Sequence, residues 1–449
     1  MHAELPLING FAPAAAVGWS DGGPVSAARF CAAARVLAAE LPRRRYAINL
    51  CEDRLNFMLG FAAALIARQV SLLPYTKAPG AIRELCMAHA DSYCISDGSD
   101  LPAGVPAIMA PPWRAFDAAA EAPTIPADCE ALVAFTSGST GRPQAHCKTW
   151  GSLVSDARSL FRDLGVDGSG AGAIVGTVPP QHVYGLETTV MLPLQNGLAS
   201  HSAMPLLPAD ITAALTRGGE RCWLATTPLH LQACVAENAD LPNLAGIVCA
   251  TMPLSAELAR DAEKRWAAPV QEIYGCTEAG AVAVRRPAFA ARWRARPGIA
   301  LQRRDRDVWV AGGHLPHPMK LPDRIELVSD TEFKLLGRPD DMVKIAGKRV
   351  SLEALNRELQ RVPGVRDGVF FIPEDCPPGR PRLAALAVAP GCDGSAMRRA
   401  LRERIDAVFL PRPLLIVDAL PRGTMGKIPR EGLHTLAAAA KGRRSRRSA

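Results

Sequence analysis

The residues with the clearest chemical potential are Thr136, Ser137, Gly138, Ser139, Thr140 and Gly141, which follow an apolar stretch over 131–135. A buried strand that ends abruptly in hydroxyls and glycines suits a polyphosphate. Glycine lets the backbone approach closely, successive N–H groups form an anion nest, and hydroxyls donate hydrogen bonds. The stretch is not a Walker loop, because no Lys-Ser/Thr pair follows a glycine at the required spacing. Alone, such a loop is more often a plain connection, so its company decides its meaning. Pro179-Pro180-Gln181-His182-Val183-Tyr184-Gly185 and Tyr274-Gly275-Cys276-Thr277-Glu278 each follow an expected strand. Gly337-Arg338-Pro339-Asp340-Asp341 leads on to Lys344, Gly347 and Arg349, and Gly426-Lys427-Ile428 stands near the C-terminus.

These stretches need a scaffold, and the chain alternates short apolar runs with helical patterns. Strands are expected at 46–50, 70–73, 131–135, 174–178, 222–225, 245–250 and 270–273. Strands separated by helices imply largely parallel sheets covered by helices. From Asp307 the texture changes to short strands joined by polar turns, at 308–310, 325–328 and 333–336. A new unit then brings helices at 352–361 and 396–407 and strands at 368–372, 383–388 and 414–417. The fold class is therefore α/β. A large N-terminal domain (1–338) carries helix-covered, mostly parallel sheets and a small β subdomain. A hinge (339–341), a small mobile α+β domain (342–436) and a basic tail (437–449) follow.

Composition excludes several classes. Apolar residues make up 48% and charged residues 21%, an ordinary globular balance. The apolar run at 58–66 stops at Arg68, short of the roughly 20 residues a membrane span needs, and reads as a buried helix without stable membrane insertion. The N-terminus lacks a basic head and a long apolar segment, so no secretion signal is expected. Twelve cysteines without Cys-x-x-Cys spacing point to free thiols in a reducing, cytoplasmic setting. Of the net charge of +8, the last nine residues contribute five positive charges, and arginines also crowd 285–306. A solvated tail and solvated arginines are the plain reading. No nucleic-acid-binding module accompanies them, so no nucleic-acid partner is expected.

In this order, across roughly residues 45–430, the five stretches resemble the adenylate-forming (ANL) superfamily of AMP-binding acid:thiol ligases. The resemblance implies that a carboxylate attacks the α-phosphate of ATP and that a thiol then displaces AMP, with Mg²⁺ as the metal. It assigns Thr136, Ser137, Gly138, Ser139, Thr140 and Gly141 to the β- and γ-phosphates and Thr277 to the α-phosphate. Glu278 would hold Mg²⁺, a hard cation that prefers carboxylate and phosphate oxygens. Ala250, Thr251, Met252, Tyr274 and Gly275 would surround the adenine, with core packing as the plain alternative for Tyr274. Asp323 and Arg338 would reach the ribose, although the family's Thr-Gly-Asp reads Leu321-Pro322-Asp323 here. Lys427 would be the mobile catalytic lysine and Asp340 the hinge. Lys344, Gly347 and Arg349 would line the thiol tunnel, with His182 as the gate to it. Gln144 stands where the family usually carries lysine, and Lys148 would restore the charge if the segment were helical.

The acid pocket implied by the resemblance draws on His182, Tyr184, Gly185, Thr226, Ala250 and Gly280. No acidic residue stands at these points to greet an amino acid, and the small and apolar residues suit an aromatic or medium acyl group. Compactness and an alanine- and arginine-rich composition resemble ligases of aryl-polyene and xanthomonadin-type pigment clusters, which load acids such as 4-hydroxybenzoate. The acceptor implied is a phosphopantetheine thiol. Nine arginines between 357 and 404 suit an acidic acyl carrier protein, and they suit the 3′-phosphate of coenzyme A as well. An acyl-CoA synthetase is therefore the neighbouring reading. A nucleotide-binding regulator without turnover is the reading from another class; Gln144 and the altered Asp323 triplet favour it, Glu278 and Lys427 oppose it.

Overall fold

The computed structural model describes residues 3–20, 23–74, 77–98, 101, 104–111, 113, 120–136, 144–165, 172–218, 221–305, 307–337, 342–345, 348–373, 382–423, 426 and 428–447. All seven strands expected in the first half are present, from Tyr46–Asn49 to Val270–Cys276. Their apolar runs are buried on both faces, as parallel strands under helices require. One sheet has the order Gln144–Thr149, Glu130–Thr136, Val70–Leu73, Tyr46–Asn49, Ser92–Ser96, Ala107–Met109. Its neighbours run parallel except for Gln144–Thr149, which turns back antiparallel along Glu130–Thr136. A second sheet is built on the parallel strands Ala199–His201, Ala173–Gly176, Cys222–Thr226, Leu244–Cys249 and Val270–Cys276. Antiparallel Gly280–Arg285 and Trp293–Ala295 extend it. The expected small β subdomain is the antiparallel set Ile299–Arg304, Asp307–Gly312 and Met319–Lys320.

The apolar run at 58–66 belongs to the helix Arg54–Ile66, which packs against strands of both sheets. Asp53 starts it by accepting a hydrogen bond from the Asn56 N–H at 3.0 Å. Its first residue ties the helix to the second sheet. Arg54 is fully buried and donates to the carbonyls of His201 (2.7 Å), Ala203 (2.8 Å), Gly176 (2.8 Å) and Val178 (3.0 Å). Burial pulls its pKa down to about 10, which leaves the guanidinium charged at neutral pH. Among the described residues no helix is long and apolar enough to cross a membrane.

The chain divides into two compact units, residues 1–321 with 327–333 and residues 322–326 with 334–449. The division falls within the strand Glu332–Gly337, ahead of the expected hinge, and Arg338, Pro339, Asp340 and Asp341 lie outside the described residues. Lys334 and Glu326, paired at 2.9 Å, hold the outer part of this hairpin together in the second unit. That unit contains the helices Leu352–Gln360 and Gly394–Arg402 and the sheet Asp367–Phe371, Ala384–Val388, Leu414–Ile416. Its own core is formed by Val343, Leu355, Leu359, Phe370 and Leu401. The tail does not follow the sequence reading. Residues 437–447 continue the helix Arg430–Arg447, because Leu433 and Ala437, one turn apart, are buried against the sheet and carry the helix onward.

Candidate active site

Two hairpins on different sheets meet at the site. Glu130–Thr136 leads into the 137–143 loop, whose Ser137, Gly138, Ser139, Thr140 and Gly141 lie outside the described residues, and Gln144–Thr149 returns from it. The second hairpin, Val270–Cys276 and Gly280–Arg285, carries Thr277 and Glu278 in its turn. His146 bridges them. Its Nε2 lies 3.3 Å from the Thr136 hydroxyl and 3.8 Å from Glu278 Oε1. Burial, reinforced by nearby Lys148 and opposed by Glu278, lowers the His146 pKa, so the ring is a neutral bridge at neutral pH. The sequence reading passed over His146, although its position two residues after Gln144 places both on one face of a strand.

Lys148 also differs from expectation. The segment is a strand, not a helix, so Lys148 lies about 13 Å along it from Gln144 rather than one turn away. It does not replace the missing lysine. Its side chain is 8% exposed and its ammonium donates to the Glu278 carbonyl at 3.4 Å.

Glu278 has a carboxylate that is 32% exposed. An accessible carboxylate near the end of the strand Glu130–Thr136 has the chemistry that suits Mg²⁺, which binds through one or two carboxylates plus substrate phosphates and keeps much of its water. Among the described residues no group of three or more His, Cys, Asp or Glu could hold a metal unaided.

Tyr184, Thr226, Ala250, Thr251 and Met252 lie at or after the C-terminal ends of the parallel strands or pack there, where open α/β sheets form their ligand crevice. Tyr184 donates from its hydroxyl toward the carbonyls of Thr226 (3.0 Å) and Val248 (2.8 Å), and packs with Ala250 and Ala281. Thr226 is fully buried, with its hydroxyl 2.9 Å from that of Thr177. Thr177 in turn meets His230 Nδ1 at 2.9 Å, another residue without a local sequence signal. His182 begins a short helix, Val183–Leu186, that runs into a π-helical turn, Glu187–Met191. Gly185 is required there, because a Cβ would stand 2.0 Å from the Pro179 carbonyl oxygen.

Ala250, Thr251 and Met252 follow the strand Leu244–Cys249. Thr251 adopts φ +79°, a strained conformation for a β-branched residue. The next turn is fixed by Glu272, which accepts from the Leu254 N–H at 2.9 Å and pairs with Arg285 at 2.6 Å. Thr251→Gly is expected to raise the unfolding free energy by about 1 kcal/mol if strain dominates over the entropy glycine adds to the unfolded chain. Thermal unfolding checks this; a destabilised variant would show that the Thr251 side chain contributes more than its backbone costs.

Tyr274 is 6% exposed, with its ring 5.7 Å from Trp293 and 5.5 Å from Phe333. This is the aromatic packing that its plain reading anticipates. Gly275 follows at a register shift in the hairpin. In the second unit, Asp323 is half-buried just before Arg324–Leu327. Arg338, Asp340, Gly347 and Lys427 lie outside the described residues, as do the side chains of Lys344 and Arg349. The loop ahead of Lys427 is anchored: Arg422 pairs twice with Asp367, at 2.7 and 2.6 Å, and donates to the Gly426 carbonyl at 2.6 Å.

The arginines of 285–306 are not uniformly solvated, because Arg296 is 2% exposed and forms ion pairs with Asp156 and Asp163. A carboxyl pair, Asp156 and Glu187, also stands behind Gly280, which sequence reading missed. The charges of His314 and Arg296 outweigh burial and hold the Asp156 pKa down, whereas burial, then Asp156, drives that of Glu187 well up.

A profile of AMP-binding enzymes matches residues 35–307, more than half of the chain. The chain belongs to the AMP-binding enzyme family. It is an ATP-dependent, acid-adenylating ligase of the ANL superfamily. Among curated relatives, a 4-coumarate–CoA ligase of Rhodobacter capsulatus is 30% identical over 297 residues, covering 65% of this chain and 73% of that protein. A probable 2-succinylbenzoate–CoA ligase of Mycobacterium tuberculosis is 27% identical, covering 68% and 84%. The fold matches that of O-succinylbenzoate coenzyme A synthetase from Bacillus subtilis in complex with AMP. That match has a TM-score of 0.80 at 19% identity, covering 94% of this chain and 95% of that one.

Proposed function

We propose that this AMP-binding enzyme adenylates an aromatic carboxylic acid of the 4-hydroxybenzoate type and passes the acyl group to the phosphopantetheine thiol of an acidic acyl carrier protein. The observation that supports the adenylation half best is the His146 bridge, which aligns the phosphate-loop strand with the Thr277–Glu278 turn. In this reading Thr136 and the loop residues Ser137, Gly138, Ser139, Thr140 and Gly141 hold the terminal phosphates. Thr277 donates to the α-phosphate, and Glu278 orients Mg²⁺, which supplies charge neutralisation when bound. Ala250, Thr251, Met252, Tyr274 and Gly275 border the adenine, and Asp323 and Arg338 the ribose. Lys427 brings its compact charge to the attacking carboxylate and the α-phosphate. Rotation about Asp340 would then exchange Lys427 for Lys344, Gly347 and Arg349 at the thiol path, past His182.

Support for an aromatic acid comes from the wall formed by Tyr184 and Ala250. The Tyr184 hydroxyl is occupied by backbone carbonyls, so its ring offers surface rather than a polar contact. Gly185 and Gly280 add no side chains to this wall.

For the acceptor, Arg399 and Arg402 are exposed in the last turn of Gly394–Arg402, where their charges also suit the helix dipole. They offer a basic face to an acidic carrier protein. Acyl transfer to a carrier protein is expected to slow as salt rises, since the Debye length shrinks to about 10 Å at 0.1 M. Charge reversal at Arg399 and Arg402 should raise the KM for the carrier while leaving pyrophosphate release unchanged. The names of the relatives favour a second reading, with coenzyme A as acceptor. Efficient, salt-insensitive turnover with coenzyme A and no loading of a carrier protein would establish that reading instead.

A further inference from the structure

The turn that carries Thr277 and Glu278 is held from behind by three side chains from separate parts of the first unit. Lys148, on Gln144–Thr149, donates to the Glu278 carbonyl at 3.4 Å. His314, just after Asp307–Gly312, meets the Ala279 carbonyl through Nε2 at 2.6 Å, which requires the proton on that nitrogen. Arg296, just after Trp293–Ala295, donates to the Ala281 carbonyl at 2.8 Å. Two of the three converge on Asp156 of the helix Trp150–Asp163. Arg296 forms an ion pair with its carboxylate and donates to its carbonyl at 3.0 Å, and His314 Nδ1 lies 3.4 Å from its Oδ1. The Lys148 strand leads directly into the same helix. Gly280 completes the fit. It has φ +72°, and a Cβ there would stand 2.6 Å from Glu187 Oε1, a buried oxygen without a hydrogen-bond partner.

We propose that Lys148, His314 and Arg296 form a clamp that positions the turn, and so sets the direction in which Glu278 presents its carboxylate to Mg²⁺ and phosphate. The proposal rests on the assignment of Glu278 above. Buried donors to the carbonyls of Glu278, Ala279 and Ala281 fix backbone that would otherwise pivot about Gly275 and Gly280. Such supporting partners typically change metal affinity or activity 10–100-fold when removed. Ordinary core packing does not call for three charged or polar donors on one four-residue segment, because buried polar groups cost free energy unless they are matched. These are positioning residues; none is assigned to the substrate.

The test compares binding of a non-hydrolysable ATP analogue by calorimetry, with Mg²⁺ and with EDTA, alongside acid-dependent pyrophosphate release. Lys148→Met keeps the buried stem and removes the donor. His314→Gln keeps an N–H able to reach the Ala279 carbonyl, and His314→Leu does not. Lys148→Met and His314→Leu are expected to reduce the Mg²⁺-dependent gain in analogue affinity and kcat by about 10-fold or more. Analogue binding in EDTA and KM for the acid should stay within about 2-fold, and His314→Gln should restore most of the loss. Thermal unfolding identifies variants that fail to fold, and the Gln/Leu comparison at His314 then carries the test. Glu278→Gln is the reference. If it leaves the Mg²⁺ effect intact, the assignment of Glu278 falls; if it removes the effect but folded Lys148→Met and His314→Leu retain it, the clamp is overturned.

Discussion

Replacing Lys427 by alanine is expected to lower acid-dependent pyrophosphate release by about 10²–10³-fold, the usual loss when one preorganised electrostatic contact to a developing charge is removed. The reason is chemical. As the carboxylate attacks, negative charge shifts between it and the α-phosphate, and a compact ammonium stabilises both ends at once. A glycine precedes the lysine in sequence, and Arg422 fixes that glycine's carbonyl. The fold should persist, because the second unit takes its core from Leu355, Leu359, Phe370 and Leu401 rather than from this loop. Near-normal release at saturating acid would remove Lys427 from the chemistry.

Arg54→Leu should produce the largest loss of stability, about 3 kcal/mol or more, because several buried acceptors lose their donor at once. Leucine fills much of the volume but leaves the carbonyls of Gly176, Val178, His201 and Ala203 without their donor. Each buried acceptor left unmatched costs about 1–3 kcal/mol before relaxation. The site should suffer as well, since Val178 leads directly into the Pro179–Gly185 segment. Denaturant unfolding measures the effect, and a loss under about 1 kcal/mol would mean that the carbonyls find other partners.

Much of this was legible in the sequence, for a physical reason. Parallel strands buried on both faces read as largely apolar runs, so 46–49, 70–73 and 222–226 announced themselves. The Gly-Cys-Thr-Glu turn was legible because its local chemistry is unusual. What could not be read was tertiary. Asp156, Glu187, Arg296 and His314 are scattered across some 160 residues and become one cluster only when the sheets assemble. Arg54 looked like an ordinary charge at a helix start, yet it binds the ends of two neighbouring strands of the second sheet. Lys148 misled because Thr149 is the one β-branched residue in 144–149, and the pairing with Glu130–Thr136 makes the segment a strand all the same. The helix that runs into the tail was missed similarly, since the contacts of Leu433 and Ala437 that support its start are tertiary.

The most direct test of the central claim is ATP–pyrophosphate exchange across a panel of aromatic, fatty and amino acids. The account predicts exchange that requires Mg²⁺, is strongest with hydroxylated benzoic or cinnamic acids, and is lost in Lys427→Ala. Exchange with amino acids alone, or with no acid in the panel for a folded protein, would contradict it.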